Sequence, residues 1–129
     1  MTWKVNNIVT LTFFETPRFI AVREEYFDDE HYRSLQNQLM VNPARGVVIP
    51  GCGGLRKIRV ADPRRGKGTR GGLRVIYLHI IEAEAIVFFA VYDKDEMSDL
   101  SAADKRVAAL LAEEARKEII AGFRMPGRE

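Results

Sequence analysis

Cysteine is almost missing from this chain of 129 residues: Cys52 stands alone. One cysteine excludes an internal disulfide and a thiolate zinc cluster, and it fits a reducing compartment. Histidine is nearly as scarce. His31 and His79 lie far apart with no carboxylate or cysteine at ligand spacing, which predicts no metal site and no cofactor. Long apolar runs are missing too. A stretch such as AIVFFAVY is far too short to span a bilayer, and the opening MTWKVNNIVT has neither the apolar core nor the small-residue cleavage site of a secretory signal. No repeat, low-complexity tract or linker divides the sequence. The expectation is a single domain over residues 1–129, cytoplasmic and without a membrane partner.

A further scarcity is local. Between Leu55 and Arg74 there is one acid, Asp62, against eight cations: Arg56, Lys57, Arg59, Arg64, Arg65, Lys67, Arg70 and Arg74. Removing this segment from the totals leaves twelve cations and seventeen acids, so the segment carries +7 and the remainder −5. Cations this dense repel one another. A local basic site on a mildly acidic body points to a polyanionic partner and away from a general polycation.

The pattern around this segment is that of an ordinary globular domain, with 47% hydrophobic and 29% charged residues. Ile8 to Phe14 alternates apolar residues with threonine and predicts a strand. Thr16-Pro17 supplies an N-cap and a proline at the first helical position, and Phe19, Val22 and Tyr26 line one face of the helix that follows. A second helix is predicted from Asp28 or Asp29, with Tyr32, Leu35 and Leu39 buried and Asn42-Pro43 as its stop. GVVIPGCGG reads as a loop and LRKIRV as a strand. ADPRRGKGTRGG is too rich in glycine and charge for regular structure, and Asp62 to Gly72 is expected to be weakly ordered without a ligand. LRVIYLHII and AIVFFAVY, joined by the acidic turn EAEA, predict central strands. Ser101 and Asp104 open an amphipathic helix of about five turns. Val107, Leu111, Ala115 and Ile119, with Leu110, are its expected buried stripe. The order β-α-α-β-β-β-α predicts an α+β domain with a largely antiparallel sheet.

Strand alternation puts Ile58 and Val60 on one face and Lys57 and Arg59 on the other. A hairpin with the next strand would bring Arg74 beside the cationic pair. Other motifs dissolve on inspection. GKGT at Gly66 to Thr69 lacks the GxxxxGK[ST] pattern of a phosphate loop, since Ala61 stands at its first glycine and Gly68 follows the lysine. His79 reads as a packed core histidine, and Cys52 has no histidine partner nearby. Acid clusters such as Glu82/Glu84 and Asp93/Asp95/Glu96 read as solubilising charge. What is left suits RNA chemistry: a 2′-OH can attack the neighbouring phosphate without metal if cations orient it and stabilise the transition state. Arginine clamps phosphate oxygens with paired hydrogen bonds. A lysine among cations is a candidate for proton transfer.

The run GGLRKIRVADPRRGKGTRGGLRVIYLHI, followed by VYDKDEMSDLS, resembles the HigB-type branch of the RelE superfamily of bacterial toxins, with similarity from Phe13 to Ile119. The resemblance implies a RelE-like α+β fold with two N-terminal helices and one C-terminal helix. It implies a ribosome-dependent endoribonuclease that cleaves mRNA without metal. The implied partners are the ribosome, mRNA and a cognate antitoxin, helix-turn-helix or disordered, with a HigA-like helix-turn-helix protein expected, through which alone operator DNA would be bound. By position, Lys57 and Arg59 match the family's basic pair on the second strand, Arg74 the arginine beginning the third, and Lys94 a further arginine of relatives. Relatives carry a tyrosine near the final helix where this chain has Leu100; Tyr92 or Tyr77 is the candidate substitute. Arg56, Arg64, Arg65, Lys67 and Arg70 are expected to contact RNA. Two other readings fit the cations alone: a non-catalytic RNA- or DNA-binding module, and an interaction protein whose basic groove receives an acidic segment. The basic loop holds no aromatic residue for base stacking, which counts against the first of these.

Overall fold

A computed structural model describes residues 11–64, 72–93 and 100–123. The weak order expected of Asp62 to Gly72 falls largely outside the described residues. Strand β1 (Thr12–Glu15) leads into helix α1 (Pro17–Tyr26) and helix α2 (Asp29–Val41). Strands β2 (Val47–Val48), β3 (Arg56–Val60), β4 (Leu73–Ile80) and β5 (Ala85–Asp93) follow, then helix α3 (Ala102–Phe123). The five strands form one sheet in the order β1-β5-β4-β3-β2. All neighbours are antiparallel except β1 and β5, which run parallel. The fold is therefore α+β with a mixed sheet.

Local chemistry accounts for the element ends. Thr16 caps α1, its hydroxyl accepting from the Phe19 amide at 3.2 Å. The same hydroxyl donates to the Phe89 carbonyl at 3.3 Å, which fastens the start of α1 to β5. Asp28 caps α2 by accepting from the His31 amide at 2.8 Å, and this bond holds its carboxyl below the usual carboxylate range. Ser101 accepts from the Asp104 amide at 3.1 Å. The expected EAEA turn is a short 3-10 helix, Ile81–Ala83, closed by Glu84 in the left-handed region at φ 51°.

The sheet is covered on both faces. One face packs Ile58, Val60, Leu73, Val75, Tyr77, Ile86 and Phe88 against Phe19, Tyr32, Leu35 and Leu39 of α1 and α2. Phe88 is wholly buried, its ring centroid 5.0 Å from Phe19 and 5.7 Å from Phe13. Burying each such side chain stabilises the fold by roughly 1.5–3 kcal/mol. The other face packs Leu55, Leu78, Ile80 and Val87 with Cys52 against α3.

Three expectations need correction. Val47–Val48, read as loop, is an edge strand paired to Lys57 and Arg56 of β3; two residues are too few to show a period. Helix α3 spans 22 residues and exceeds the expected five turns. Its buried stripe is also different: Val107, Leu110 and Leu111 are 55%, 72% and 55% exposed, while Ala112 is wholly buried. Strict four-residue spacing drifts about 40° per step around a helix of 3.6 residues per turn, so the row from 107 to 119 turns through about 120° and leaves Val107 and Leu111 at the edge while Ala115 and Ile119 lie closer to the sheet. The face that packs runs through Ala108, Ala112 and Ile119. The loop before β3 closely approaches the backbone of this helix: a Cβ on Gly53 would lie 3.0 Å from the Ala109 carbonyl oxygen.

Candidate nucleic-acid interface

The register of three strands builds one row of polar side chains. Arg59 of β3 stands opposite Arg74 of β4, and Arg74 stands opposite Tyr92 of β5. Directly opposed residues have Cβ atoms about 4.5–5.5 Å apart and point to the same face. Lys57 stands opposite Ile76 one alternation further along, on that face as well. The sequence-derived set Lys57, Arg59, Arg74 and Tyr92 is thus gathered on a single surface. Arg59 is exposed, while Lys57, Arg74 and Tyr92 are half-buried. Arg74 is steadied where β4 begins, its Nη1 donating to the Gly72 carbonyl at 3.2 Å.

This is the face that α3 covers, and the cover is incomplete. A groove of about 960 Å³ lies between the helix and the sheet, with Ile76, Phe89, Leu100 and Leu111 among its lining residues and Lys57 and Tyr92 in its wall. Those last two side chains belong both to the groove and to the cationic surface. Leu100 and Tyr92, both partly buried, pack against the same core cluster. A β-bulge between Ile76 and Tyr77 leaves Phe89 as the extra residue on β5, so that Ala90 pairs with Ile76 and Phe88 with Tyr77. This bulge brings Tyr92 into phase with Arg74.

The remaining candidates are placed differently. Arg56 lies on the opposite face by strand alternation, its Nη1 donating to the Gly46 carbonyl at 2.8 Å and the Ala44 carbonyl at 3.2 Å. Tyr77 is also on that opposite face and wholly buried. Its hydroxyl donates to the Pro43 carbonyl at 2.7 Å and accepts from the Gly46 amide at 2.9 Å. Burial pushes its phenol above the usual tyrosine value. Arg64 is bound to two carboxylates, with Nη2 2.9 Å from Asp62 Oδ2 and 3.5 Å from Asp93 Oδ2. The Asp62 hydrogen bond holds the Arg64 proton more tightly than usual. Asp93, read as solubilising charge, is 3% exposed and belongs to this cluster. Its place on β5, two residues after the buried Val91, was the available signal. Arg65, Lys67, Arg70 and Lys94 lie outside the described residues.

Among the described residues no cluster of three or more His, Cys, Asp or Glu side chains is arranged to hold a metal ion, and no helix is long and apolar enough to cross a membrane. No protein-family model matches the chain.

Proposed function

We propose that this protein is a ribosome-dependent mRNA endoribonuclease, the toxin of a toxin–antitoxin pair of the HigB type within the RelE superfamily, acting in the cytoplasm. The observation that carries the reading is the alignment of Arg59, Arg74 and Tyr92 across three adjacent strands, with Lys57 on the same face. Two arginines this close supply paired donors to the non-bridging oxygens of one phosphate. The 2′-OH of the preceding nucleotide attacks phosphorus, loses its proton to a neighbouring base, and expels the 5′-oxygen, which takes up a proton. Arg59 and Arg74 stabilise the extra negative charge of the pentacovalent transition state. Lys57 and Tyr92 are the groups placed to move the two protons. The ribosome supplies the in-line geometry that a site without a strong general base needs.

The partner that silences it is a cognate antitoxin, of helix-turn-helix type, through which alone operator DNA is engaged. Its inhibitory segment carries acids toward Lys57, Arg59 and Arg74 and apolar residues toward the adjoining groove.

Programmed ribosomes mixed with the protein, with product ends mapped, test the activity. A 2′,3′-cyclic phosphate and a 5′-OH are expected, at a rate insensitive to magnesium over the range in which ribosomes stay intact. Arg74→Ala is expected to lower the single-turnover rate much more than ribosome binding. A 3′-OH with a 5′-phosphate, or an unchanged rate in that variant, overturns the mechanism.

A further inference from the structure

Two carboxylates are buried close to the cationic row, and one side chain ties them together. Asp62, just after β3, is 1% exposed; Asp93, the last residue of β5, is 3% exposed. The Arg64 guanidinium meets Asp62 through two bonds, Nε to Oδ1 at 3.0 Å and Nη2 to Oδ2 at 2.9 Å. Nη2 also reaches Asp93 Oδ2 at 3.5 Å. The Arg64 amide closes a local turn by donating to Asp62 Oδ1 at 3.0 Å. Its Cζ lies 4.6 Å above the ring of Tyr26, the last residue of α1.

The direction of this side chain matters. Tyr26 belongs to the core cluster on the α1–α2 face of the sheet, whereas Lys57, Arg59, Arg74 and Tyr92 share the α3 face. Arg64 therefore turns its charge away from the cationic row and spends its planar fork on carboxylates. At the same time it touches the backbone neighbour of the row. Asp93 follows Tyr92 directly and stands opposite Leu73, which precedes Arg74. A displacement of Asp93 is passed through one peptide unit to Tyr92.

We propose that Arg64 is a positioning residue, one that locks the end of β5 to the start of the basic loop and to α1, and so holds Tyr92 level with Arg74. The proposal rests on the nuclease reading of that row, and it replaces the RNA contact expected of Arg64 from sequence. Removing the guanidinium leaves two buried carboxylates without this counterion, and the strand end that carries Tyr92 moves to rehydrate them.

Three variants test it on programmed ribosomes: Arg64→Met, Arg64→Lys and Asp93→Asn. Arg64→Met is expected to lower the single-turnover rate at saturation by about ten- to a hundredfold, the scale of a misplaced reacting group. Ribosome affinity and its salt dependence stay as in the wild type. Arg64→Lys, which restores a cation between the carboxylates, recovers part of the rate. An RNA contact predicts the reverse, namely weaker binding, a shallower salt dependence and an unchanged saturated rate, and that result overturns the proposal. If Arg64→Met does not fold, Asp93→Asn carries the test, because it keeps the Arg64–Asp62 pair; a reduced rate with unchanged binding supports the proposal and an unchanged rate overturns it. Amide hydrogen exchange separates this idea from the nuclease reading. Should the wild type fail to cleave, faster exchange at Val91 to Asp93 in Arg64→Met, reversed in Arg64→Lys, keeps the clamp on Tyr92, and unaltered exchange in both removes it.

Discussion

Arg59 and Arg74 stand directly opposite one another on β3 and β4. Like charges at this position repel, and a sheet selected for stability alone would pair them with acids. The cost is tolerable because Arg59 is exposed and solvent screens the pair. Arg59→Met is therefore expected to raise unfolding stability by about 0.2–1 kcal/mol at low salt, with the gain shrinking as salt is added. Cleavage by the same variant should fall. Urea titrations at two ionic strengths, beside the ribosome assay, check both halves. A variant that is less stable at low salt would contradict the repulsion.

Tyr77 has a structural job. Its hydroxyl joins the Pro43 carbonyl and the Gly46 amide, fixing the chain between α2 and β2. Gly46 has no space for a side chain, since a Cβ there would lie 2.8 Å from Tyr77 Cε1. Tyr77→Phe leaves the buried Gly46 N–H without this acceptor, which costs about 1–3 kcal/mol. Chemical denaturation should show that loss, while the single-turnover cleavage rate of the folded variant stays at the wild-type value. A large fall in that rate would give the phenol a chemical role after all.

Much of this was legible from short patterns. Thr16, Asp28 and Ser101 announce their helices because capping is a local bond between a side chain and an amide three residues on. The shared face of Lys57 and Arg59 follows from strand alternation, and Arg74 joins them through an antiparallel neighbour. Tyr92 was harder to place, because its phase depends on the extra residue at Phe89, and no local signal marks a bulge. The parallel pairing of β1 with β5 links Thr12 to Ala85, far along the chain and outside the reach of any periodicity. In the Arg64 cluster, strand alternation marks Asp93 as inward-facing, but its meeting with Asp62 and Arg64 is set only by the folded sheet.

His79 gives the fold a pH dependence. Burial, with Arg56 nearby, lowers its pKa below the free value of 6.5, against a smaller opposing effect from Glu82. The unfolded chain then binds the proton more readily than the folded one. Stability from this group is complete above the unfolded pKa of 6.5 and is lost as pH falls through the lower folded value. His79→Gln is expected to flatten the decline between about pH 7 and pH 5, a window above the ordinary carboxylate range. Thermal melts of both proteins across that window measure it, and parallel curves would show that His79 does not contribute.

The two faces of α3 make the last prediction. Leu110 is 72% exposed, so Leu110→Gln should change stability by no more than about 0.5 kcal/mol. Ala112 is wholly buried against the sheet, and Ala112→Leu should destabilise by about 1–3 kcal/mol through overpacking. Gly53→Ala tests the close approach from the other side. Gly53 has φ +69°, and an added Cβ would sit 3.0 Å from the Ala109 carbonyl oxygen and 3.1 Å from its Cα. Both strain and contact oppose the substitution, so its cost should exceed about 1 kcal/mol. Combined with Ala112→Leu, it should be non-additive, because both changes push the same stretch of α3 off the sheet. The three single variants and the double variant, compared by urea denaturation, give the ranking. If Leu110→Gln proves the most damaging, the helix packs through the leucine face and the docking of α3 described above is wrong.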